Sequence, residues 1–141
     1  MTYEEVKNLL RSVRGKKSRL SALQSYIIEE RALMQSVSAM QYQTDVGVVS
    51  STQNNVETRY AKHLDRIKKW QTIYDKLFDE MCEEEDRLAE MMKRLTPEEY
   101  EVILNRYLKG VSRRKTADLM GFTEDGLKTI TRRALKKMSK T

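Results

Sequence analysis

Residues 112–126 read SRRKTADLMGFTEDG, a stretch in which two helix-start residues stand on either side of a glycine. Ser112 and Thr123 are residue types that cap helix N-termini, because their side-chain oxygens accept a hydrogen bond from an otherwise free amide of the first turn. Gly121 suits the left-handed conformation that ends a helix. We therefore predict a helix over 113–120, a tight turn, and a second helix from 124 to about 139, which is a helix-turn-helix.

The apolar pattern fits two helices that cross steeply at this turn. Only a small residue fits where such helices cross, and Ala117 supplies it, four residues before Gly121. The positions expected to face inward are Thr116, Met120, Phe122, Leu127, Ile130, Ala134, Leu135 and Met138. Thr116 is the weakest of these, since it is half polar at a position where an aliphatic side chain would pack better.

A further helix precedes this pair. In Thr96-Pro97-Glu98-Glu99, Thr96 and Glu99 have the spacing of a capping box, and Pro97 suits the first helical position. Gly110 is placed to end this helix, which we expect to run from about Pro97 to Lys109. Residues 96–141 are therefore predicted to form a three-helix domain.

The basic charge of the chain is concentrated in this C-terminal third. Residues 93–141 hold 13 Lys and Arg against 6 Asp and Glu, whereas residues 1–92 hold 14 against 15, so the two parts carry net charges of +7 and −1. A local positive field favours binding to a polyanion, since neutralised phosphates release their counterions. Double-stranded DNA is the expected partner.

Two segments within residues 1–95 repeat apolar side chains every seven residues, which is the spacing of a coiled-coil seam. The first seam consists of Val6, Val13, Leu20, Ile27 and Met34. The second seam consists of Tyr60, Ile67, Tyr74, Met81, Leu88 and Leu95. Gly15, Lys16 and Lys17 interrupt the first seam and Glu84 interrupts the second, and such breaks help to fix register.

A polar loop is expected over about 36–55, between helices that run from about Tyr3 to Met40 and from Val56 to Leu95. The fold class is thus all-α, with a long N-terminal helical hairpin or coiled coil followed by the three-helix helix-turn-helix domain. The sequence leaves open whether the seams pair within one chain or between subunits. Because each helix offers little apolar surface, we expect residues 1–95 to form a homo-oligomer.

The inward positions of the last helix leave its polar residues facing outward, where the N-terminal end of the helix would meet base edges. The base-reading candidates are Glu124, Asp125, Lys128 and Thr129. For the two acids, stabilisation of the helix dipole is an equally good interpretation. The candidates for phosphate contacts are Arg113, Arg114, Arg132, Arg133 and Lys136.

Residues 95–140, LTPEEYEVILNRYLKGVSRRKTADLMGFTEDGLKTITRRALKKMSK, resemble the fourth region of bacterial sigma factors, which reads the −35 promoter element in the major groove. The resemblance implies that the outward residues near Lys128 lie at the DNA-reading surface. Lys115 and Thr116 depart from the sigma pattern, and the chain lacks a segment resembling the region that melts the −10 element. The arrangement of the whole chain resembles phage and prophage transcriptional regulators of the late-activator and autolysin-regulator groups.

Other functional classes find little support in the composition. Cys82 is the only cysteine, which argues for a reducing, cytoplasmic compartment and against a thiolate metal site. His63 falls at a partner position of the second seam, three residues after Tyr60, and is interpreted as a helix-interface residue. The acidic run 83–86 is interpreted as a solvated helix face. No apolar run is long enough to cross a membrane. We expect no enzyme activity, no metal and no cofactor.

Three functions remain as hypotheses. The leading one is a transcriptional regulator, of phage or prophage genes, that binds DNA through residues 112–139 and oligomerises through residues 1–95. The second is a DNA-recognition subunit of a phage packaging machine, similar to a small terminase subunit. The third is an adaptor that contacts RNA polymerase through its sigma-like domain.

Overall fold

The structure, a computed structural model, describes the backbone of residues 1–44 and 50–140 and the side chains of residues 1–37 and 56–140. All regular structure in these residues is helical, as the predicted all-α class requires. The elements are α1 (Tyr3–Thr44), α2 (Ser50–Met92), α3 (Pro97–Ile103) with a π-helical segment (Leu104–Leu108) directly after it, α4 (Arg113–Met120) and α5 (Glu124–Ser139). A long N-terminal helix and a C-terminal helix-turn-helix are both confirmed.

The two long helices extend into the segment expected to be a polar loop. α1 continues to Thr44 and α2 begins at Ser50, whereas the sequence pattern placed the loop over 36–55. Residues 45–49, including Gly47, lie outside the described residues. Ser, Thr, Gln and Asn cost only tenths of a kcal/mol each in a helix, about 0.7 kcal/mol at most, and no proline interrupts this stretch. An existing helix can therefore include residues 36–44 and 50–55.

Contacts between Cα atoms divide the chain into two units. The first unit combines Met1–Ser18 with Asp79–Thr141, and the second unit is Arg19–Phe78. The predicted boundary between residues 95 and 96 thus falls inside the first unit. The cause is that the first turns of α1 pack with the C-terminal helices, a long-range association that no local sequence pattern encodes.

In the first unit, α1 and α2 run antiparallel, and the residues that interrupt the two seams pair with each other. Lys16 Nζ forms an ion pair with Glu84 and lies 3.7 Å from a carboxylate oxygen of Glu80, while Lys17 Nζ lies 2.6 Å from Glu85. Ser12 Oγ also donates a hydrogen bond to Glu84, at 3.1 Å. The acidic run 83–86 is therefore partly paired with α1, and its interpretation as a solvated face was wrong for Glu84, whose side chain is only 18% exposed.

In the second unit, the same two helices again run antiparallel around buried seam residues. Glu30 is buried, its carboxylate lies 2.5 Å from His63 Nδ1, and Arg66 is 3.6 Å away. The rings of Tyr26 and Trp70 lie 5.7 Å apart. His63 therefore occupies the helix interface, as its seam position predicts.

The sequence predicts the start of α3 correctly but not how this helix ends. The predicted capping box is present, with Thr96 Oγ1 accepting from the amide of Glu99 at 3.3 Å. The predicted helix to Lys109 closes instead with a π-helical turn, in which the amide of Lys109 donates to the carbonyl of Leu104 at 2.8 Å. Gly110 follows at φ +69°, and the amide of Val111 donates to the carbonyl of Asn105 at 2.8 Å.

Candidate nucleic-acid interface

The turn between α4 and α5 is built by the residues that the sequence pattern assigned to it. Ser112 Oγ accepts from the amide of Lys115 at 3.2 Å and so caps α4. Gly121 ends α4 at φ +72°, and its amide donates to the carbonyl of Ala117. Thr123 Oγ1 then accepts from the amide of Gly126 at 3.1 Å and starts α5. Three residues, Gly121, Phe122 and Thr123, therefore connect the helix ends, which holds α5 in a fixed direction from α4.

A small apolar core lies where α3, α4 and α5 meet. Ala117 is only 2% exposed, which agrees with its expected place at the helix crossing. The buried core consists of Val102, Ala117, Leu127 and Ile130, with Met120 and Phe122 packed against it. Thr116 is fully buried as well, and its hydroxyl donates to the carbonyl of Ser112 at 2.9 Å. That bond explains how a half-polar residue is tolerated at an apolar position.

The candidate base-reading side chains all lie on the exposed face of α5. They are Glu124, Asp125, Lys128 and Thr129. The hydroxyl of Thr129 donates to the carbonyl of Asp125 at 3.1 Å, which leaves the rest of that side chain available for apolar contact. A Cβ on Gly126 would lie 3.1 Å from Thr123 Oγ1, which is tighter than an ordinary contact, so the helix cap favours glycine at this position.

The candidate phosphate-binding residues are also exposed, but the structure distributes them over different flanks. They are Arg113, Arg114, Arg132, Arg133 and Lys136. Successive helical residues point about 100° apart, so Arg132 and Arg133 face opposite flanks of α5. Arg114 borders a separate depression beside Gly110 and Lys115.

Arg113 and Arg132 instead line a common depression of about 210 Å³, which we call the basic cleft. It lies between the start of α1, the π-helical segment, the start of α4 and one flank of α5. Its five cationic side chains are Lys7, Arg106, Arg113, Lys128 and Arg132. Among the described residues that line the basic cleft, none is acidic. Sequence reasoning missed Lys7 and Arg106, because residue 7 reaches this place only through the packing of α1.

Two tyrosines complete the basic cleft. Lys7 Nζ stands 5.2 Å from the ring centre of Tyr3, and Arg106 donates to the carbonyl of Val111 at 3.0 Å. Burial, assisted by Tyr3, raises the pKa of Tyr107 above its ordinary value, although Arg106, Arg11 and Arg113 act in the opposite direction. The hydroxyl of Tyr107 therefore stays protonated at neutral pH and can donate a hydrogen bond to an anion.

The described part of the chain contains no group of three or more His, Cys, Asp or Glu side chains arranged to hold a metal ion. None of its helices is long and apolar enough to cross a membrane.

Comparison with known families agrees with the geometry of the C-terminal helices. Residues 85–138 match the family described as Sigma-70, region 4. No curated protein and no solved structure gives a significant match to the chain. The match begins within α2 and ends at Met138, so it includes the helix-turn-helix and its core but not α1. The C-terminal part of this chain is therefore a sigma region 4-like, DNA-binding helix-turn-helix.

Proposed function

We propose that this sigma region 4-like domain makes the protein a transcriptional regulator that binds a specific DNA sequence. One observation carries the proposal: α5 follows a three-residue turn and presents an exposed polar face with cations on its flank, within the residues that match sigma-70 region 4. An α-helix with its side chains is about 10 to 12 Å wide and the major groove is about 12 Å wide, so α5 can enter it.

The N-terminal half of α5 reads the bases in this proposal. Lys128 donates to guanine O6 and N7, Glu124 or Asp125 accepts from cytosine N4, and Thr129 contacts a thymine methyl group. Exposure of all four side chains supports these roles. The two acids also lie in the first turn of α5, where they stabilise the helix dipole, so each can serve both purposes.

The phosphate contacts come from the arginines around α5 and from Lys136. Arg113 is the first residue of α4 and stands next to the positive end of that helix. Arg132 and Arg133 lie on opposite flanks of α5, which suits contacts to the two phosphate backbones that border one groove. These contacts position the domain and do not select sequence.

We also propose that the protein acts as a homo-oligomer, so that linked domains recognise repeated half-sites. The second unit supports this, because six large apolar side chains among its described residues are more than a third exposed. They are Tyr26, Ile28, Leu33, Tyr60, Ile73 and Phe78. The assignment to phage or prophage genes rests on the resemblance of the long helices and the domain, taken together, to regulators of that kind.

Selection from a random duplex library with the full chain tests the proposal. The enriched duplex and a scrambled duplex of equal composition are then compared by fluorescence anisotropy at the same salt concentration. We expect the enriched duplex to bind at least about 10³-fold more tightly. Equal affinity for both would contradict sequence-specific regulation. RNA polymerase binding without DNA affinity would instead indicate the adaptor, and a closed ring that recognises DNA without affecting transcription would indicate the packaging subunit.

A further inference from the structure

The basic cleft includes a helix that lies outside the sigma-like region. Lys7 and Tyr3 belong to the first two turns of α1, whereas the family match begins at residue 85. Both residues belong to the same unit as α4 and α5, so their position beside α5 is part of one packed body. The flank of α5 that they adjoin carries Lys128 and Arg132, which are four residues apart and therefore lie on one face.

The charges in the basic cleft are not compensated by the protein. Lys7, Arg113 and Arg132 form no ion pair with any described residue. By contrast, Lys16, Lys17 and Lys137 in the same unit each have a carboxylate partner. Like charges that converge without a counter-charge repel one another, and a bound anion relieves that repulsion.

The donors around the basic cleft suit a phosphate group. Guanidinium groups form paired hydrogen bonds to phosphate oxygens, and Arg106, Arg113 and Arg132 supply three of them. The protonated hydroxyl of Tyr107 adds a neutral donor. A DNA phosphate would also be in the right place, because the phosphates that border the major groove pass beside the flanks of a helix that lies in it.

We propose that the basic cleft binds a backbone phosphate of the same duplex that α5 enters, and that Lys7 of α1 contributes to that contact. The inference rests on the proposed function. It extends the DNA-binding surface beyond the sigma-like region to the first turns of α1. In this proposal, the first turns of α1 bind one strand of the DNA beside the flank of α5.

Substitution of Lys7, in the full chain, tests this. Lys7→Ala should weaken binding to enriched and scrambled duplexes by the same factor, and should reduce the slope of log K against log salt by about 0.9. A fourfold rise in salt would then cost the variant about 3.5-fold less affinity than it costs the wild type. Lys7→Arg should keep the wild-type slope.

Lys17→Ala is the matched control, because it removes the same charge from the same helix about 15 Å further along, away from the basic cleft. Circular dichroism verifies that each variant is folded. If the wild type binds DNA but Lys7→Ala and Lys17→Ala have equal slopes, the inference is wrong while the proposed function stands. If the wild type binds no DNA, both are wrong.

A second arm separates DNA phosphate from free phosphate. The thermal midpoint of the full chain is measured with inorganic phosphate and with chloride at equal ionic strength. Stabilisation by phosphate that is lost in Lys7→Ala, together with a reduced salt slope on DNA, supports the inference. Stabilisation that is lost in Lys7→Ala while its DNA slope remains that of the wild type would show a site for free phosphate only, and would overturn it.

Discussion

Glu99 is a buried, charged residue that connects two of the C-terminal helices. Its side chain is almost fully buried, and Lys137 Nζ of α5 donates to it at 2.6 Å. Thr96 Oγ1 donates to the same carboxylate at 2.9 Å. Burial acts to raise the pKa of Glu99, but the hydrogen bonds from Lys137 and Thr96 outweigh it and hold the pKa below its ordinary value. The ionised carboxylate therefore links the start of α3 to the end of α5.

Glu99→Gln should destabilise the protein by about 1 to 3 kcal/mol at neutral pH, since a charge-assisted hydrogen bond is lost in a buried place. Because the folded-state pKa is lowered, this stabilisation is complete above the unfolded value of about 4.3 and is lost as the pH falls through the folded value. Urea denaturation of wild type and variant at several pH values measures it. Glu98→Gln, at the exposed neighbouring position, is the control, and we expect it to change the free energy of unfolding only slightly. A constant difference down to pH 3 would contradict the role of the charge.

Thr116 faces inward as the sequence predicts, but the hydrogen bond of its hydroxyl was not predicted. It was the weakest match to the apolar pattern, yet it is completely buried. Its hydroxyl bonds to a carbonyl one helical turn earlier, so no polar group is left without a partner. A hydropathy pattern assigns polarity to a whole residue type and does not register a local bond of this kind.

At the scale of the elements, helix starts were predictable because each depends on a few adjacent residues. The caps at Thr96, Ser112 and Thr123 all form as the sequence predicts. The π-helical turn after α3 was not predicted, since its hydrogen bond to the fifth preceding residue has no local residue signature. The basic cleft was not predicted either, because Lys7 and Arg106 both line it but are about a hundred positions apart in the sequence.

Alanine substitutions of two glycines, one at a helix end and one within a helix, test the backbone conformations of these elements. Gly121 has φ +72° with no atom near the place of a Cβ, so Gly121→Ala should cost about 1 to 2 kcal/mol through the left-handed backbone alone. Gly15 lies within α1, also without nearby atoms, so Gly15→Ala should stabilise the protein by about 0.5 to 1 kcal/mol. Thermal and urea denaturation followed by circular dichroism compare the two. Changes of the same sign would be inconsistent with the assigned conformations.

At the scale of the whole molecule, the long helices bury a seam but leave large apolar side chains in water. Ile28 is the most exposed of those in the second unit, at 59%. We expect the full chain to be oligomeric at micromolar concentration and Ile28→Glu to lower the mass observed by light scattering, since a carboxylate is costly to bury in an interface. A wild-type chain that remains monomeric would refute the oligomer.

The central claim is that α5 reads sequence while the cations around it bind phosphate. Its most direct test is fluorescence anisotropy of the full chain on enriched and scrambled duplexes at several salt concentrations. Lys128→Ala should lose about 1 to 3 kcal/mol on the enriched duplex and much less on the scrambled one. Arg132→Ala should weaken both duplexes alike and reduce the salt slope by about one unit. Equal losses for the two variants on both duplexes would contradict the claim and would show that α5 binds DNA by charge alone.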